Sequence, residues 1–192
     1  MGNLGADTLS GGLGNDIFVY SSLYDKNTVP VTGILTGATV AFTAAQAFAA
    51  DTLISGGSGT DMLRFIGNVT LTDAPFAHVT SVEKLDLDDS STLNTVTLGT
   101  NAQTAGTYYI DGSNGADTIS WDYNSLGVTI YGLGGDDVIN NDANDVVIDT
   151  VYGGTGNDTI NVGGGADTVY GDAGADAIYG EGGNDILSGG VK

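Results

Sequence analysis

A nine-residue frame recurs along this chain and limits most of what the chain can become. Residues 153–161 read GGTGNDTIN, 162–170 VGGGADTVY, 171–179 GDAGADAIY and 180–188 GEGGNDILS. The fourth position is always Gly (Gly156, Gly165, Gly174, Gly183), the sixth always Asp, and the eighth always aliphatic: Ile160, Val169, Ile178 and Leu187. The frame returns at 2–10, 11–19, 56–64, 112–120 and 132–140, nine copies in all. A unit this short cannot bury an apolar face alone, so the copies must stack on one another.

Composition narrows the choice further. The chain has 192 residues, of which 32 are Gly, and only 8% are aromatic, so the core is expected to be thin and repetitive. Twenty-four acidic side chains face four basic ones, a net charge of −20. Such a surface repels nucleic-acid phosphates and anionic lipid alike. No apolar run approaches the ~20 residues that span a bilayer, so membrane insertion is not expected. Self-repulsion of this size leaves two outcomes: a disordered chain, or one folded around bound cations. With no Cys in the sequence, disulfides and thiolate metal sites are excluded.

The repeat closely resembles the calcium-binding nonapeptide of the repeats-in-toxin (RTX) family, the hemolysin-type repeat, whose consensus is G-G-x-G-x-D-x-U-x with U a large apolar residue. The resemblance implies a parallel β-roll or β-helix assembled outside the cell when calcium binds. The expected fold class is therefore all-β: a right-handed parallel β-helix or β-roll solenoid with Gly-Asp calcium-binding turns and one or two short helical excursions.

The residue types suit that chemistry. Gly turns without steric cost and lets carbonyl oxygens converge. Calcium takes six to eight oxygens from carboxylates and carbonyls alike. One turn with one Asp supplies too few, so stacked turns must share each ion. The x-U-x end of each copy reads as a short strand with its apolar residue inward, and two copies make one coil. One buried Ile or Leu contributes roughly 1.5–3 kcal/mol, against about 1–2 kcal/mol of backbone entropy for each of nine residues. Folding of such coils must therefore be coupled to metal binding. The expected carboxylate ligands are the sixth-position residues Asp7, Asp16, Asp61, Asp117, Asp137, Asp158, Asp167, Asp176 and Asp185, with backbone oxygens of Gly153, Gly154, Gly156, Gly171 and Gly174. Several Ca²⁺ ions are expected. Transition metals fit badly with one His and no Cys, and Mg²⁺ keeps a stricter octahedron and its waters.

The organisation expected from the sequence is repeats over 1–20, irregular β-helical coils with helical excursions over 21–111 (one repeat at 56–64), and β-roll repeats over 112–192. Helical turns are expected at Ala44–Ala50 and from Thr72–Phe76, where Thr72 or Asp73 would cap and Pro75 opens the first turn. Strands are expected at Phe65–Ile66, Val69–Leu71, Val82–Leu87, Thr95–Leu98 and Tyr108–Ile110. The run Val79–Leu87 resembles a segment found beside such repeats in bacterial surface-layer and adhesin-like proteins. Residues 141–152 lack Gly and exceed a nonapeptide by three. Val146, Ile148 and Val151 are their candidate core positions, with Asp142, Asp145 and Asp149 facing solvent.

No enzyme is expected. The basic residues Lys26, Arg64, Lys84 and Lys192, together with His78, are scattered over unrelated segments. No G-x-S-x-G or H-E-x-x-H motif occurs. Arg64 is expected to pair with a nearby acid, and Trp121 and Tyr108–Tyr109 to pack on strands. The chain starts in frame at Gly2 and stops mid-repeat after Gly190 with no recognisable cap. It therefore reads as a piece of a longer repeat protein, or as one whose ends stack head to tail. The expected role is a calcium-dependent structural segment of a secreted or cell-surface bacterial protein, of surface-layer or adhesin type. The alternative is the calcium-folding accessory domain of an exported enzyme or toxin.

Overall fold

The computed structural model describes residues 8–21, 48, 53–87, 93–123, 125–141 and 145–191. Strands stack in sequence order, each one coil above its predecessor. The longest sheet has eight strands: Ile17–Ser21, Met62–Ile66, Lys84–Leu87, Tyr109–Ser113, Thr129–Leu133, Thr150–Thr155, Thr168–Ala173 and Ile186–Ser188. A six-stranded sheet runs through Thr70–Leu71, Thr95–Leu98, Thr118–Trp121, Val138–Asn141, Thr159–Asn161 and Ala177–Tyr179. Thr8–Leu13, Leu53–Ser58 and Val79–Thr80 form a third sheet. Pairing is parallel throughout these ladders, as it must be when each strand is reached by a full turn of chain. The molecule is a parallel β-solenoid.

The eighth repeat position builds the interior, as its apolar character demands. In the long sheet, Phe18, Leu63, Leu85, Ile110, Ile130, Val151, Val169 and Leu187 fall in one register row. Opposite them, Leu71, Val96, Ile119, Ile139, Ile160 and Ile178 form the matching row. Successive nonapeptides thus feed the two sheets alternately, and matching aspartates lie 18 residues apart where the repeat is unbroken. The Gly-free segment lengthens one coil to 21, the three-residue excess visible in the sequence.

Toward the N-terminal half the core thickens. Phe48 packs its ring against Tyr20, Phe65 and Phe76, with centroids 5.0–5.5 Å away, and Trp121 and Tyr123 are fully buried. On the outer face of the long sheet the rings of Tyr131, Tyr152 and Tyr170 stack at 4.6 and 5.1 Å, and Tyr109 joins them at 5.4 Å. Lys84 lies 4.0 Å over the Tyr109 ring and 3.8 Å from Asp111. Arg64 pairs with Asp86 at 2.6 Å.

Two helical excursions are described. Ala74–His78 is a 3-10 helix opened by Asp73 and Pro75, with His78 at its exposed end. Asp73 does not cap that helix with its side chain. Its carboxylate instead accepts the N–H groups of Gly99, Asn101 and Ala102 at 2.8–3.0 Å, satisfying the start of an α-helix at Thr100–Ala105. That second helix is absent from the sequence expectation because its cap sits 26 residues away, where no local signal reveals it. The expected helix at Ala44–Ala50 lies outside the described residues except for Phe48.

Candidate metal centres

Each coil turns into its strands through a Gly-rich corner, and the sixth-position Asp stands at the last residue before the strand. Stacked coils bring these carboxylates into rows. Leading into the six-stranded sheet, the N–H of Asp117 donates to Asp137 Oδ1 at 2.7 Å, Asp137 to Asp158 at 2.9 Å, and Asp158 to Asp176 at 3.0 Å. Leading into the long sheet, Asp149 donates to Asp167 at 2.8 Å and Asp167 to Asp185 at 3.0 Å. Nearer the N-terminus, Asp16 donates to Asp61 Oδ1 at 2.7 Å, and Asp61 to Glu83 at 2.9 Å. One oxygen of each carboxylate therefore ties a coil to the one before it.

The other oxygen is the informative one. Oδ2 of Asp16, Asp61, Asp137, Asp158, Asp167 and Asp176 is buried and lacks any hydrogen-bond partner. A buried acceptor left without a donor costs about 1–3 kcal/mol, more when charged, and a fold does not repeat that cost on rung after rung without compensation. Five of these six orphaned oxygens, all but that of Asp167, point beside a glycine. A Cβ on Gly153 would strike Asp158 Oδ2 and come within 2.9 Å of the Gly171 carbonyl; one on Gly132 would strike Asp137 Oδ2 and the Gly153 carbonyl. Gly11, Gly56 and Gly171 are likewise faced by Oδ2 of Asp16, Asp61 and Asp176. Carboxylate and carbonyl oxygens thus converge where the missing side chain leaves room, a hard, anionic donor set that suits Ca²⁺.

Burial explains the electrostatics. Desolvation pushes the Asp137 carboxyl up to about 8, reinforced by the charges of Asp158, Asp117 and Asp136 and opposed by the Asp117 N–H. Desolvation also raises Asp158 and Asp167, with Asp176 and Asp185 respectively adding repulsion. Without a cation Asp137 resists ionisation at neutral pH. A bound divalent ion supplies the positive charge that lets it ionise.

The expected ligands divide accordingly. Asp16, Asp61, Asp137, Asp158, Asp167 and Asp176 carry an orphaned oxygen, while Asp185 stands on the last coil with its Oδ1 bonded and Oδ2 facing Gly180. Asp117 is buried but differs, as shown below; Asp7 lies outside the described residues. Gly153 and Gly171 present carbonyls to the row, and the Gly156 carbonyl presses on Gly174. Gly154 and Gly174 adopt φ of 108° and 153°, which form the turn itself. No group of three or more acidic or His side chains converges among the described residues, so backbone oxygens must complete any coordination.

Two expectations need correction. Asp145 and Asp149 are buried rather than solvent-facing, and Val146 and Ile148 are 83% and 63% exposed rather than in the core. Polarity alone misassigned them. The segment lacks the glycine frame, yet Asp149 occupies the row position of its coil, accepting Val128 N–H at 2.8 Å and donating to Asp167. A further row went unread: fifth-position side chains bridge coils outside the first, with Asn157 N–H on Asp136 at 2.7 Å and Ala175 N–H on Asn157 at 3.0 Å. Asn or Asp at position five was the available signal.

Fold and corners together define a parallel β-solenoid whose coils turn through Gly-Asp corners with unfilled carboxylate oxygens. The RTX calcium-binding nonapeptide repeat matches four times, over residues 1–22, 128–148, 146–177 and 163–191. These segments carry the RTX calcium-binding nonapeptide repeat. Comparison with curated proteins and with solved structures gives no match.

Proposed function

We propose that the chain is a non-catalytic, calcium-dependent structural segment of a secreted or cell-surface bacterial protein, of surface-layer or adhesin type. The observation that carries this reading is the recurrence of a buried, unpartnered carboxylate oxygen at successive coils. Six such oxygens make sense only in a chain meant to meet a divalent cation. Extracellular calcium modules work near 10⁻⁴–10⁻³ M, so the rows stay empty at cytosolic calcium and fill outside, where a surface scaffold is needed. The net charge of −20 supports the same coupling, since self-repulsion opposes compaction until cations bind. Head-to-tail association belongs to the proposal.

Circular dichroism during a calcium titration, with magnesium as control, tests the reading. A cooperative gain of β-signal in calcium and none in magnesium is expected, with light scattering on the same samples reporting association. An identical spectrum and melting temperature after thorough chelation would overturn it.

A further inference from the structure

One expected calcium ligand is built differently from the rest. Asp117 stands in the same row as Asp137, Asp158 and Asp176, one residue before its strand, yet both its oxygens are satisfied by protein donors. Its Oδ2 accepts the N–H of Ser113 at 2.7 Å. Its Oδ1 accepts from Asn94 N–H at 3.0 Å, Asn94 Nδ2 at 2.9 Å and Ser113 Oγ at 3.2 Å. Neither residue follows the repeat. Asn94 holds the row position of its own coil, because Thr95 pairs with Thr118, and it presents an amide where other coils present a carboxylate. Ser113 occupies a second position that is Gly in the copies at 11–19, 56–64 and 153–161.

Resting on the calcium reading above, we propose that Asn94 terminates the ion row. Its NH₂ group holds Asp117 Oδ1 while the Ser113 N–H fills Oδ2, the oxygen left open at Asp137, Asp158 and Asp176, so that Asp117 holds no ion and the row begins at Asp137. An amide is a neutral donor of fixed geometry, able to satisfy a buried carboxylate that a metal would otherwise neutralise. Asn94 Oδ1 is meanwhile engaged by Val69 N–H at 3.0 Å, which fixes the amide with its NH₂ toward Asp117. The opposite corner repeats the device. Asp149 Oδ2 accepts from Asn141 Nδ2 at 3.0 Å and Trp121 Nε1 at 3.2 Å, in a coil that also lacks the glycine frame.

Calcium stoichiometry on the full chain tests this, by isothermal titration calorimetry of wild type, Asp117→Asn, Asp137→Asn and Asn94→Asp. Asp117→Asn should bind as many ions as wild type, and Asp137→Asn at least one fewer. Asn94→Asp should bind one more, since it restores a carboxylate opposite Asp117. A wild-type chain that binds no calcium overturns the reading on which the inference rests. A wild type that binds calcium, with an ion lost in Asp117→Asn or none gained in Asn94→Asp, overturns the inference alone.

Discussion

Replacing Asp158 by Asn should change the sign of its effect with the metal. The carboxylate is 1% exposed, its Oδ1 holds Asp137 N–H at 2.9 Å, and its Oδ2 has no partner. Asparagine keeps the shape and the Oδ1 acceptor but puts an NH₂ where Oδ2 was, beside the Gly171 carbonyl that also faces Gly153. In chelator the substitution removes an unsatisfied buried carboxylate oxygen, a gain of about 1–3 kcal/mol. It also relieves repulsion from Asp176, Asp136 and Asp172. The gain should appear in chelator as more residual β-signal and, where a transition is measurable, as a melting temperature higher by roughly 2–4 °C per kcal/mol. In millimolar calcium the same change deletes a charged ligand. Bonds to charged groups contribute roughly 1.5–3 kcal/mol, so the calcium midpoint should rise about 10- to 100-fold and the melting temperature should fall.

Thermal melts by circular dichroism, with and without calcium, read both arms. Asp122→Asn is the control: Asp122 is exposed and is not among the charges that raise Asp158, so it should shift neither arm appreciably. A shift of the same sign in both conditions for Asp158→Asn, or an unchanged calcium midpoint, would refute the argument that Oδ2 waits for a cation.

Gly174→Ala should destabilise the C-terminal coils by at least ~1–3 kcal/mol, because φ is 153° and the Gly156 carbonyl occupies the Cβ position; a melt as high as wild type would contradict the turn geometry. Acidification should stabilise the metal-free protein, which a pH series of melts in chelator would show. Burial, with neighbouring charges, raises Asp137 to about 8 and, again by burial first, Asp149 to about 7, both above the unfolded value of about 3.9. The folded state therefore holds more protons, and the stability from these groups is full below about pH 4 and lost as pH rises through 7–8. A melting temperature that falls on going from neutral to acidic pH in chelator would show the opposite linkage.

What could be read in advance follows from where the information sits. Position eight predicted the interior because an apolar residue in a two-sheet coil has one place to go, and Leu63, Ile119 and Val169 are all fully buried. Position six predicted the rows because its geometry repeats with the frame. What escaped was non-local. Asp73 caps a helix 26 residues on, and Asn94 meets Asp117 across 23 residues. Asp149 looks like a surface acid until the coil length places it in the row. A repeat reveals the average coil, whereas the exceptions are decided by the coil stacked against them.

These exceptions cluster, and the clustering bears on how the chain folds. Between Asp61 and Asp137 the row positions are taken by Val69, Glu83, Asn94, Tyr108, a satisfied Asp117 and Val128, and none of these carries an orphaned side-chain oxygen. The same stretch holds Phe65, Phe76, Trp121 and Tyr123, all buried. Each contributes more apolar area than the lone Ile or Val of a C-terminal strand. Where large side chains supply the stabilisation, the corners carry donors that satisfy their own carboxylates; where the core thins to Ile139, Val151, Ile160 and Val169, the corners leave oxygens open. From Val69 onward the open oxygens thus follow the thinning of the core, while Asp16 and Asp61 keep theirs open beside Phe18 and Phe65 at Gly-rich corners, so the demand for calcium follows the Gly-rich corner, whose ordering entropy has to be offset, rather than core thickness alone.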